Sequence, residues 1–141
     1  MKYLKIVCFW LLSWTWGLPM TLLGAIISLG MLITGHKPKI FHYYIYFEAG
    51  NNWGGFECGC FFFANKNSSL SLKQHECGHG IQNIIFGWLM PFIVSIPSAV
   101  RYWYREWYMK YKYPKTQKPL PPYDSIWFEG WATKLGEKYY S

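Results

Sequence analysis

The chain has 141 residues, 22% of them aromatic and 15% charged, and a formal net charge of +7. It shows no internal repeat, and its 4 cysteines lack paired C-x-x-C spacing. That excludes a repeat array and a disulfide framework, and fits a reducing compartment. Many Trp and Tyr rings beside few charges point instead to a small membrane protein, because amphipathic rings concentrate where lipid meets water.

Residues 1–36 form an N-terminal hydrophobic segment. No charged residue occurs from Ile6 to Thr34, a stretch longer than the ~20 apolar residues needed to cross a bilayer. Gly17, Pro19 and Gly24 interrupt it. It reads as one long kinked helix, or as a short arm (Ile6 to Trp16) turning into a second (Leu18 to Ile33). Lys2 and Lys5 ahead of the run also suit a cleaved signal peptide, but the run continues too far and no small-x-small site follows the first arm.

Residues 40–64 predict a β-hairpin. Ile40 to Phe47 and Phe56 to Ala64 are dense in aromatic and β-forming residues, and Asn51, Asn52, Gly54 and Gly55 supply a turn between them. Its edge could hold an extended peptide by strand addition, or the hairpin merely caps the helices.

Residues 68–100 combine a site helix with a second hydrophobic segment. Asn67, Ser68, Ser69 and Ser71 are helix starters. His75-Glu76-Cys77-Gly78-His79 follows, an H-E-x-x-H box, with Leu70, Leu72, Ile81, Ile84, Ile85 and Phe86 at helical spacing around it. On a helix, residues four apart share a face, so two imidazoles can close on one metal while Glu76 reaches a water beside it. A zinc hydrolase needs that arrangement. The plain alternative is a surface helix with unrelated polar residues. Gly78 and Gly80 each cost about 1 kcal/mol of helix propensity, and are expected to leave the backbone open for a substrate cleft. Cys77 points away from the histidine face and reads as a small buried side chain. From Ile81 to Val100 the chain is apolar apart from Gln82, Asn83 and two serines, and Pro91 and Pro97 break it. A re-entrant or hairpin membrane segment fits these breaks, as does the buried core of a soluble zincin.

Residues 101–123 interleave Arg101, Arg105, Lys110, Lys112, Lys115 and Lys118 with Trp and Tyr against the single acid Glu106, then run into Pro119, Pro121 and Pro122. Such a pattern can bind nucleic acid. Beside an apolar segment, an interfacial helix facing anionic headgroups on the cytoplasmic side explains it better, followed by an extended linker. Residues 124–141 read as a C-terminal helix with Glu129 among Trp127, Phe128 and Trp131. A carboxylate buried there is costly without a positive partner such as zinc. Exposed near the helix start, it would instead simply favour the dipole.

The sequence H-E-C-G-H followed by F-E-G-W-A-T resembles the gluzincin metallopeptidases, nearest to the membrane-bound group whose second motif reads E-x-x-A-D. The resemblance implies that His75, His79 and Glu129 bind Zn2+ and that Glu76 is the general base. Ala132 matches the second motif. Thr133 stands where that family has an Asp that buttresses a ligand histidine, and a threonine lacks the charge. Asp124 is the alternative third ligand, in the manner of intramembrane zinc proteases that use an Asp. The expectation is a single unit over 1–141, a mainly α integral membrane protein with one β-hairpin and a zincin-like site helix. It would be a zinc metallopeptidase acting on peptides or membrane proteins among lipids, with its site at the cytoplasmic face and no nucleic-acid partner. A non-catalytic membrane scaffold with a vestigial or structural metal site is the rival, and a zinc hydrolase of lipids or other amides would share the same residues.

Overall fold

A computed structural model describes all 141 residues. The chain is mostly helical around a small mixed sheet. Its N-terminal apolar run breaks into α1 (Lys2–Trp14) and α2 (Leu18–Ile33), which meet at 94°. Pro19 near the start of α2 is in a position where its missing N–H costs nothing. The small side chains of α2 face inward: Thr21, Gly24 and Ser28 are buried, while Leu22, Ile26, Leu29 and Ile33 are exposed. A Cβ on Gly24 would lie 2.6 Å from the Cys58 carbonyl oxygen, so α2 rests directly on strand backbone. α1 is pinned by the Trp10 indole N–H, which donates to the Tyr43 carbonyl at 2.8 Å.

The sheet corrects the expectation of one hairpin. Four strands, β1 (Lys39–Phe41), β2 (Tyr44–Glu48), β3 (Gly55–Cys58) and β4 (Phe61–Ala64), lie in the order β1-β2-β4-β3. Each aromatic run folds on itself, through His42 (φ 52°) in the first and Gly59 (φ 70°) in the second. The inner strands β2 and β4 then pair in parallel, from Ile45 opposite Phe61 to Glu48 opposite Ala64. The Asn51–Gly55 cluster does turn the chain, but it carries β2 across to the far edge and not into an adjacent strand.

α3 (Leu70–Phe86) carries the box. Ser69 caps it, its hydroxyl oxygen accepting from the Leu72 N–H at 3.2 Å, a contribution of about 1 kcal/mol. Glu48 ties the preceding residue to the sheet by accepting from both the N–H and the hydroxyl of Ser68, at 2.9 and 2.8 Å. At the other end Gly87 takes φ 58°, and α3 gives way at 116° to the path through Pro91–Ser95, α4 (Ile96–Trp107) and α5 (Tyr113–Thr116). α6 (Trp127–Tyr140) returns to lie along α3.

The α3–α6 contact explains the glycines of the box, and here too an expectation is corrected. Gly78 is buried, and a Cβ there would sit 1.8 Å from the Ala132 carbonyl oxygen. Gly136 meets the Gln74 backbone in the same way, at 1.9 Å. Gly80 lies against the Tyr44 ring. The bare backbone therefore serves close helix packing and not an open cleft.

No single helix is long and apolar enough to cross a membrane, although the two bent pairs, α1 with α2 and α3 with the path through α4, pass by length and composition. α4 is turned inside out. Ser98, Arg101, Tyr102 and Arg105 face protein partners. Phe92, Ile96, Val100, Trp103 and Trp107, three or four residues apart, form an outward apolar stripe, with Phe92 70% and Trp103 67% exposed.

Candidate metal centre

Two turns of α3 present His75 and His79 to one spot, their rings 4.7 Å apart and perpendicular. The close α3–α6 crossing brings Glu129, three residues into α6, between them. The Glu129 Oε2 lies 3.0 Å from both imidazole Nε2 atoms. The Glu129 side chain is fully buried, and the three residues form a cluster able to hold a metal ion, with ligand atoms all within 4.8 Å of one another.

The outer hydrogen bonds decide what those atoms can do. The Gln82 amide nitrogen donates to the Phe128 carbonyl at 2.8 Å, so its oxygen accepts from His79 Nδ1–H at 2.7 Å. The Thr133 hydroxyl donates to Asp124 Oδ2 and so must accept from His75 Nδ1–H, at 2.8 Å. Both Nδ1 protons are thereby committed, and both Nε2 lone pairs point at a carboxylate oxygen. Three electron-pair donors converging out of water require a cation among them, either an added proton on each ring or a metal ion. The donor set fits a metal.

Glu129 is held from behind as well. Its Oε1 accepts from the Ser98 hydroxyl of α4 and, at 3.3 Å, from the Tyr123 hydroxyl. Burial opposes its charge, yet in the form with a second proton on each ring the bonds from His75 and His79, together with that from Ser98, keep its carboxyl well below the usual carboxylate range. Glu76 is a contrast. Nearly buried, it is pushed up to about 7 by loss of hydration, with His75 lowering and Glu129 raising it. It lies against Gly55 of β3, where a Cβ would stand 2.7 Å from its carboxylate oxygen.

His75 and Glu76 line a cleft of about 410 Å³, bounded by Trp53, Gly55, Tyr102, Tyr123 and Asp124. The outer edge of β3 borders it without a partner strand. Asp124, the alternative ligand, is outside the cluster: its carboxylate is bonded to Thr133 at the rim. His36 and His42 stay with Thr34 and the Phe41 and Tyr140 rings. Cys77 is buried, and all four cysteines are free thiols.

Sequence reasoning missed Gln82, Ser98 and Tyr123. Gln82, three residues after His79 on the same face, was open to detection by spacing. Ser98 and Tyr123 arrive through tertiary packing and carry no local signal. No family model, curated protein or solved structure matches the chain.

Proposed function

We propose that the chain is a membrane-seated zinc peptidase of gluzincin type, with His75, His79 and Glu129 as ligands and Glu76 as general base. The observation that carries the reading is the convergence of two Nε2 lone pairs and a buried carboxylate beside the buried carboxyl of Glu76 in one cleft.

Zinc held by His75, His79 and Glu129 would supply Lewis acidity for activating a water and polarising a peptide carbonyl. Glu76 would take a proton from the attacking water and hand it to the leaving amine. Glu76 lines the same cleft as His75, which places its carboxyl beside the metal position. The Tyr123 phenol, pushed to about 12 chiefly by burial and by Glu129, stays protonated and donates that proton to Glu129 Oε1, helping to hold the carboxylate in place. An extended peptide pairing with the free edge of β3 would pass Gly55 and lie alongside Glu76.

The membrane part rests on side-chain direction. α4 shelters its polar face and exposes an apolar stripe, and α2 does the same with its large side chains. Such surface is costly in water and suits lipid. Lys2, Lys5, Lys37 and Lys39 flank the N-terminal run, which is consistent with an anionic headgroup layer.

Metal analysis of the detergent-purified chain tests the site. About one zinc per chain is expected, lost in His75→Ala, His79→Ala and Glu129→Gln. Full zinc retention in Glu129→Gln would remove the third ligand from the proposal.

A further inference from the structure

The geometry points to Asp124 as a positioning residue that acts on His75 through the hydroxyl of Thr133. This rests on the metal reading above. The His75 Nδ1 lies 2.8 Å from Thr133 Oγ1, and Thr133 Oγ1 lies 2.6 Å from Asp124 Oδ2. A threonine hydroxyl has one proton. Given to the Asp124 carboxylate, it leaves only lone pairs for His75, so Nδ1 must carry a proton and Nε2 must present its lone pair to Glu129 and the metal position.

The chain is built to make this contact. Asp124 sits in the short turn Tyr123–Ser125, and Thr133 lies one turn beyond Gly130 on the same face of α6. A Cβ on Gly130 would stand 2.7 Å from the Asp124 carbonyl oxygen, so a bare position lets the turn lie on the helix. Arg101 holds the same turn from the other side, donating to the Pro122 carbonyl and the Ser125 hydroxyl at 3.3 Å. Polarised by a carboxylate, the Thr133 oxygen is a stronger acceptor than an isolated hydroxyl, and hydrogen bonds in a chain reinforce one another. The negative charge thus reaches His75 across one intervening hydroxyl and raises the donor strength of its Nε2. His79 has no such charge behind it, since its Nδ1 partner is the neutral amide of Gln82.

The test is zinc affinity of the full-length chain in detergent, by competition with a chromophoric chelator, together with the proton NMR signal of His75 Nδ1–H in zinc-free protein. Asp124→Asn keeps an acceptor but removes the charge, and is expected to weaken zinc binding about tenfold. Thr133→Val should weaken it ~10–100-fold, and the double variant should be no weaker than Thr133→Val alone. Thr133→Asp in the Asp124→Asn background should restore affinity, which separates the relay from damage to folding. In zinc-free protein, Thr133→Val should abolish the downfield Nδ1–H resonance and Asp124→Asn should move it upfield. Wild-type affinity in Asp124→Asn, multiplying effects in the double variant, or a resonance indifferent to Asp124 would each overturn the relay. A resonance that responds to Asp124 in a chain that holds no zinc would uphold the relay while defeating the metal reading.

Discussion

Gly78 of α3 and Ala132 of α6 touch backbone to backbone: a Cβ at position 78 would meet the Ala132 carbonyl oxygen at 1.8 Å. That contact sets how closely the helix bearing His75 and His79 approaches the helix bearing Glu129.

Gly78→Ala should therefore force the helices apart. Overpacking against backbone costs about 1–3 kcal/mol or more, and the shift should also lower zinc content, because Glu129 moves with α6. Thermal unfolding in detergent and metal analysis read both effects. Gly30→Ala is the control: nothing lies within 4 Å of its Cβ position on α2, so helix propensity alone should make it neutral or stabilising by up to ~1 kcal/mol. A Gly78→Ala protein as stable as that control would contradict the close crossing.

The second prediction concerns Tyr44, which is fully buried and donates to the Cys77 carbonyl in the middle of α3 at 2.7 Å. Tyr44→Phe leaves the Tyr140 hydroxyl, 3.1 Å away, without that partner. The expected loss is about 1–3 kcal/mol of stability, seen as a lower unfolding midpoint, with zinc stoichiometry unchanged because no ligand bond is broken.

A third prediction follows from pH. Burial works against the Glu48 charge, but Lys39 and the two Ser68 donors hold its carboxyl down at about 2, against an ordinary 4.5. A carboxyl depressed in the folded state binds fewer protons there than in the unfolded chain. Its stabilisation is present above pH 4.5 and fades as pH falls towards 2. Glu48→Gln should thus be less stable than wild type at pH 7, with the gap closing across that acid window. A gap that is constant with pH would show that Glu48 acts by packing alone.

Much of this was legible beforehand, and the failures have particular causes. The helix around the box, its start among the serines, the N-terminal arms and the Glu129 helix all follow from local pattern and caps. The sheet was misread because Ile40 to Phe47 and Phe56 to Ala64 are aromatic on both faces. Period-two alternation was masked, and the two internal turns at His42 and Gly59 were hidden. Parallel pairing of β2 with β4 is a long-range event with no local signature. Gly78 looked like a cleft residue because its neighbour Ala132 is remote in sequence. Asp124 stood as the alternative to Glu129 because nothing local shows that Thr133 lies between it and His75.

Ser98 supplies a fourth prediction. Its hydroxyl donates to Glu129 Oε1, fixing the rotation that turns Oε2 towards the histidines. Ser98→Ala should lower zinc affinity roughly tenfold while leaving the unfolding midpoint of the zinc-free chain nearly unchanged. Affinity equal to wild type would mean that the α3–α6 packing alone orients the carboxylate.

The most direct measurement compares wild type with Glu76→Gln, each assayed for bound zinc and, by mass spectrometry, for cleavage of a mixed peptide pool in detergent. Glu76→Gln should retain full zinc and lose cleavage by roughly 10²–10⁴-fold. Cleavage by Glu76→Gln at the wild-type rate, or a wild-type chain that holds zinc and cuts nothing in the pool, would contradict the assignment of a zinc peptidase.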